Sequence, residues 1–188
     1  ESVKLAKTIA DESTVLLKNE NQLLPLDAKS LKSIAIIGPN ADQVQFGDYT
    51  WSRNNKDGVT PLQVIKNRVN KNTAIHYAKG CSLTSLDTSG IAEAVEAAKN
   101  SEVAVIFGGS ASAALARDYK SSTCGEGFDL NDLNLTGAQS QLIREVYRTG
   151  TPVILVLVTG KPFVIEWEKN NLPAILVQWY AGEQAGNS

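Results

Sequence analysis

The sequence predicts an α/β fold in which a mostly parallel sheet of about five or six strands is flanked by helices, an α/β sandwich. Short apolar runs alternate along the chain with segments of helical periodicity, the pattern that crossover connections between parallel strands leave behind. Several runs, VAVIF and VILVLV above all, are apolar at consecutive positions, as strands covered on both faces must be. With 188 residues, 43% of them hydrophobic, the chain can bury a core of its own, so residues 1–188 are read as a single domain.

Taken in order, an opening helix from about Val3 to Leu17 places Leu5 and Ile9 on one apolar side. Ser33 to Ile37 (SIAII) reads as the first strand. Thr60-Pro61-Leu62-Gln63 then offers an N-cap, a proline at the first helical position and a capping-box glutamine, with Ile65 and Val69 on one face. Ala74 to Tyr77 is the next strand, and Ile91, Val95 and Ala98 mark the helix that follows it. After the strand Val103 to Phe107, Thr136-Gly137-Ala138-Gln139 repeats the capping-box pattern ahead of Leu142, Ile143 and Val146, with Gly150 as a stop. Val153 to Val158 and Ala174 to Trp179 complete the strands. Glu183 opens the last helix, where a first-turn carboxylate suits the helix dipole. Trp167 and Trp179 lie within apolar runs and are expected in the core.

Composition removes whole classes of function. Eighteen basic against twenty acidic side chains give a formal charge of -2, too balanced for a nucleic-acid groove or an anionic membrane surface. No apolar run approaches the roughly 20 residues that a membrane helix needs, and Glu1 to Ala10 lacks the zones of a signal peptide. No methionine occurs, so an excised or processed piece of a longer chain is expected. Cys81 and Cys124 have no CxxC spacing; they could be free thiols or a single bridge in an exported protein.

Ligands of an open parallel sheet bind beyond the carboxyl ends of its strands. Three loops leave such ends: Gly38 to Gly58, Gly108 to Leu135, and Thr159 to Lys161. The first two far exceed the usual connection of about 4–6 residues, and both are expected to border the site. Nucleotide binding fits none of them. Gly38-Pro39-Asn40-Ala41 lacks the further glycines of GxGxxG, and Thr159-Gly160-Lys161-Pro162 lacks the rest of a P-loop. The single histidine, His76, sits mid-strand, where a hydrogen-bonded structural role is expected, so no metal, cofactor or hydrolase triad is foreseen.

Carboxylate chemistry remains. Glu126 stands between two glycines in SSTCGEGFDLNDLNL, in a polar loop whose ends are held by a strand and a helix. It is either a placed functional group or a solvated loop carboxylate. Phe46-Gly47-Asp48-Tyr49-Thr50-Trp51 supplies the aromatic platform on which the apolar faces of sugars rest; alternatively Tyr49 and Trp51 tuck over the sheet edge. Asp132 could serve a turn, and Asn134-Leu135-Thr136 matches a glycosylation sequon whose threonine is already expected as a helix cap.

Four motifs in order, ADESTVLLKNENQLLPL (Ala10 to Leu26), IAIIGPNA (Ile34 to Ala41), GEGFDLNDLNL (Gly125 to Leu135) and WYAGEQAGN (Trp179 to Asn187), resemble the second domain of glycoside hydrolase family three, the β-glucosidase and β-xylosidase type. The resemblance implies a split site. An upstream barrel domain of the same chain would supply an aspartate nucleophile, and Glu126 in GEGFD would be the general acid/base. It further implies Trp51 on the aglycone side of an oligosaccharide or β-glycoside substrate, with Tyr49 beside it. Asp129, close in sequence, is expected to bind substrate or serve as a hydrogen-bond partner near the acid/base, with a catalytic role as the alternative. Many relatives carry arginine where this chain has Leu130, so an ion-pair role does not carry over to that position. Export to the periplasm or exterior is implied as well. The alternative is a non-catalytic carbohydrate-binding or scaffold α/β module.

Overall fold

The structure, a computed structural model, describes residues 1–50, 55–112, 122–128 and 131–188. Among these residues six strands form one sheet: β1 (Val15–Asn19), β2 (Ser33–Ile37), β3 (Ala74–Ala78), β4 (Ala104–Gly109), β5 (Val153–Thr159) and β6 (Ala174–Trp179). Their spatial order is β1-β6-β5-β4-β2-β3, parallel throughout except for β1, which runs antiparallel to β6 at one edge. Five α-helices accompany them among the described residues: α1 (Ser2–Ser13), α2 (Pro61–Arg68), α3 (Ile91–Lys99), α4 (Gln139–Tyr147) and α5 (Glu166–Asn171). None of the described helices is long and apolar enough to cross a membrane.

The consecutive apolar runs divide by twos. Ile106, Leu155 and Leu157 face one side, where Ala94 and Ala98 of α3 and Leu142, Ile143 and Val146 of α4 cover them. Val105, Phe107, Ile154, Val156 and Val158 face the other, against Leu62 of α2 and a row of leucines from Leu23 to Leu31. Alternation along each strand sends neighbours to opposite layers, and each leucine so buried contributes about 1.5–3 kcal/mol. The capping box at Thr60 forms as the sequence predicts: Thr60 Oγ1 accepts from the Gln63 N–H at 3.2 Å, and Gln63 Oε1 accepts from the Thr60 N–H at 3.0 Å.

The second expected capping box does not form. α4 begins at Gln139, and Thr136 Oγ1 instead donates to the Leu83 carbonyl at 2.7 Å. The Gln139 side chain, fully buried, turns back onto the end of β4. The opening helix is also shorter than expected. Thr14 has extended dihedrals, and Val15, Leu16, Lys18 and Asn19 pair with β6, the register slipping at Leu17, because the β-branched and leucine side chains gain a sheet edge that a further helical turn would forfeit. Leu5 and Ile9 of α1 are exposed, and Ala10 is the buried residue of that helix. Trp179, paired with Thr159 at the end of β6, is 43% exposed rather than core, since β1 pairs with β6 only as far as Val177 and leaves that edge uncovered. Trp167 is partly buried, edge-on to Tyr147 and 5.1 Å beneath the Arg144 guanidinium.

Candidate functional site

From β2 the chain crosses outward to β3, and from β4 it crosses the opposite way to β5, so the connections diverge between the carboxyl ends of β2 and β4. Strand ends approach closely there. Gly38 has φ 113°, and a Cβ on it would stand 2.3 Å from the Phe107 carbonyl oxygen. Asn40, fully buried, donates from Nδ2 to the Gly108 carbonyl at 3.1 Å and accepts from Gln45 Nε2 at 2.7 Å. The loop after β2 is thereby fastened to the end of β4.

The loop carrying Glu126 starts from an extension of β4. Ser112 bridges to Cys124, the Thr123 N–H donates to the Ala111 carbonyl at 2.8 Å, and the Ala111 N–H donates to Thr123 Oγ1 at 3.1 Å. A turn follows, closed by the Phe128 N–H on the Gly125 carbonyl at 3.1 Å. Gly127 has φ 68°, and a Cβ added to it would meet nothing within 4 Å. This glycine serves a left-handed backbone rather than a close approach.

Glu126 is exposed at the tip of this turn. Its N–H donates to Asp48 Oδ2 at 2.8 Å, and its Oε2 accepts a hydrogen bond from the Tyr49 hydroxyl. That contact, in which the phenol O–H donates to the carboxylate, pushes the Tyr49 pKa above its ordinary value. Tyr49 itself has φ 61° and is 69% exposed. Of the residues singled out from the sequence, Tyr49 and Glu126 are therefore brought together, from two loops 77 positions apart. Trp51 and Asp129 lie outside the described residues. Asp48 was not singled out; its only sequence signal is its place in FGDYTW, and its role in holding the Glu126 backbone depends on a loop path that spacing does not encode. Asp132 accepts from the Asn134 N–H at 2.8 Å, the turn expected of it.

Neither Glu126 nor Tyr49 lines either of two clefts that the described residues form. A cleft of about 360 Å³ opens between the loops after β2, β3 and β4, with Gln43, Phe46, Lys79, Ser82, Ala111 and Ser122 on its walls. Its mixture of an aromatic ring with amide and hydroxyl groups suits a carbohydrate. A second cleft of about 290 Å³, walled by Leu24, Leu26, Ile34, Val105 and Phe107, holds no acidic side chain. Cys81 and Cys124 are free thiols, and burial pushes the Cys81 thiol up to about 11. Burial also lowers the Lys161 pKa; its Nζ sits 4.7 Å from the Phe163 ring. Among the described residues no three His, Cys, Asp or Glu side chains gather as metal ligands.

Residues 14–188 match the family model described as the glycosyl hydrolase family 3 C-terminal domain. The chain is 39% identical over 191 residues to a β-xylosidase of Formosa agariphila, covering 98% of this chain and 25% of that protein. It is 35% identical over 209 residues to a periplasmic β-glucosidase of Salmonella typhimurium, covering 98% and 26%. Among solved structures, a β-glucosidase from Listeria innocua in complex with isofagomine superposes with a TM-score of 0.82 at 27% identity, over 98% of this chain and 24% of that one. A β-glucosidase from Erythrobacter marinus gives a TM-score of 0.81 at 31% identity, over 98% and 27%. The chain thus spans about a quarter of the length of the relatives it matches.

Proposed function

The chain belongs to the glycosyl hydrolase family 3 C-terminal domain family, and we propose that Glu126 is the general acid/base of a retaining, exo-acting β-glycosidase whose nucleophile is an aspartate on an upstream barrel domain. What supports this is the position of one side chain. Glu126 is an exposed carboxylate on a glycine-flanked turn, at the divergence point of the sheet, against the aromatic loop after β2.

The chemistry proceeds in two displacements. The barrel aspartate attacks the anomeric carbon while Glu126 protonates the departing glycosidic oxygen; water, deprotonated by Glu126, then releases the sugar from the covalent intermediate. Retention wants the two carboxyl groups about 5–5.5 Å apart, a separation that a turn braced from its backbone by Asp48 can hold. The substrate is a β-xyloside or β-glucoside cleaved at its terminal residue, as the names of the relatives suggest. Substrate binding is assigned to Trp51, Tyr49 and Asp129, and an exported setting, periplasmic or secreted, is where such substrates are met.

In the full-length enzyme, Glu126→Ala lowers kcat/KM for alkyl glycosides by about 10²–10⁴-fold, the usual worth of a positioned acid. Activated aryl glycosides, whose leaving groups need no proton, lose far less, and azide restores their turnover. The isolated chain hydrolyses no aryl glycoside. A loss that is uniform across leaving groups and unrescued by azide overturns the acid/base assignment, and turnover by the isolated chain overturns the split site.

A further inference from the structure

Behind the Glu126 turn lies a row of hydroxyl groups that ties it to three strand ends. Tyr180, one residue past β6, reaches across the end of β5. Its ring lies against Gly160, where a Cβ would come within 2.7 Å of it. Its hydroxyl stands 2.6 Å from Ser110 Oγ, just past β4, and 3.0 Å from Cys124 Sγ, two residues before Glu126. Ser110 Oγ lies 3.0 Å from Thr159 Oγ1, which is 2.6 Å from the Lys161 carbonyl oxygen.

The carbonyl fixes the direction of the whole row. It can only accept, so Thr159 donates to it and must accept from Ser110. Ser110, its one proton used, accepts from Tyr180, and Tyr180 accepts from the Cys124 S–H. Each group has one proton to give, and each gives it to the next. Burial holds Tyr180 in its protonated form, so it has a proton to give to Ser110.

We infer that Tyr180 is a positioning residue for the acid/base carboxylate: through Cys124 it clamps the strand-side root of the Glu126 turn to the ends of β4 and β5. This rests on the assignment of Glu126 made above. The tip of the turn is exposed and is braced by Asp48 and Tyr49 from a different loop. Its root is the part fastened to the sheet. A root free to swing turns the carboxylate away from the glycosidic oxygen without altering its chemistry, so the consequence is lost proton delivery rather than lost folding.

The test uses the full-length enzyme with Tyr180→Phe, which keeps the ring and removes the hydroxyl. One such hydrogen bond carries about a fivefold to tenfold factor. kcat/KM for alkyl glycosides falls by that factor, activated aryl glycosides keep their rate within about twofold, and Cys124 is alkylated about fivefold to tenfold faster by a maleimide, read by peptide mass mapping. Cys124→Ser, which keeps a donor, stays close to the parent, whereas Cys124→Ala and Gly160→Ala, the latter displacing the ring, behave like Tyr180→Phe. Equal losses on both substrate classes, no loss on either, or unchanged alkylation each overturn the inference. Alkylation repeated in a Glu126→Ala background reads the clamp alone, so a wrong acid/base assignment and a wrong clamp give different results.

Discussion

Gln139 offers the sharpest test of how the sheet supports the site. β2 pairs with β4 only as far as Ile37 opposite Ile106, so Gly109 extends beyond the end of β2 and has no strand beside it on that flank. The buried Gln139 amide takes the place of that strand: its Oε1 accepts from the Gly109 N–H at 2.8 Å, and its Nε2 donates to the Gly109 carbonyl at 3.0 Å and the Leu83 carbonyl at 3.1 Å. Gln139→Leu preserves bulk and burial but orphans the Gly109 N–H and C=O. An unsatisfied buried group costs about 1–3 kcal/mol, so the pair costs about 3 kcal/mol with partial relaxation. At about 2–4 °C per kcal/mol for a domain of this size, the melting temperature drops by roughly 6–12 °C. Calorimetry on the chain reads that shift, and native-state hydrogen exchange shows the Gly109 amide losing its protection first. A melting temperature within about 1 °C of the parent would refute the reasoning, because it would mean that water or a backbone shift replaces the amide without cost.

Two further outcomes follow from the same geometry. Tyr49 ionises above its ordinary value because the Glu126 carboxylate holds its proton; whatever stability this link adds is fully present below the unfolded-state pKa near 10 and is lost as pH rises through the folded-state value. Absorbance titration of the phenolate in parent and Glu126→Gln should show Tyr49 moving down in the variant, and an unchanged curve would mean the link is absent in solution. Gly38→Ala brings a Cβ to 2.3 Å from the Phe107 carbonyl at φ 113° and should prevent folding, whereas Gly127→Ala, at φ 68° in open space, costs about 1–2 kcal/mol; soluble expression and chemical denaturation separate the two.

The parallel strands were legible in the sequence because a strand buried on both faces leaves a signature that few other elements share, and VILVLV is such a run. The turn that carries Glu126 was legible because a glycine on each side of one residue announces an unusual backbone, and Gly127 does take a left-handed φ. β1 was not, since Val15 to Leu17 continue the spacing of α1, and only the exposed edge of β6 decides that they extend. The role of Gln139 was misread for a related reason. TGAQ satisfies the local pattern of a capping box, but the unpaired flank of Gly109 is a demand made by a strand 30 residues away, and it outbids the helix end. Tyr180 and Asp48 share this property: each matters through a partner brought near by the order of strands.

The hydrogen bond from Tyr49 to Glu126 sharpens the proposed chemistry. A phenol that donates to a carboxylate favours its ionised form, which is the form that deprotonates water in the second displacement and the wrong form for the first. Conversion to an acid needs a stronger opposing influence, and a neighbouring anionic nucleophile in a dry cleft supplies it. When the glycosyl-enzyme forms, that anion is neutralised in an ester, the opposing influence disappears, and the phenol's preference for the ionised carboxylate coincides with the need for a base. On the assignment proposed here, one hydrogen bond from the loop after β2 thus works against the first step and for the second. Tyr49→Phe in the full-length enzyme should accordingly slow release of the covalent sugar more than its formation, read as a larger pre-steady-state burst. An unchanged burst would mean that Tyr49 leaves Glu126 as substrate enters.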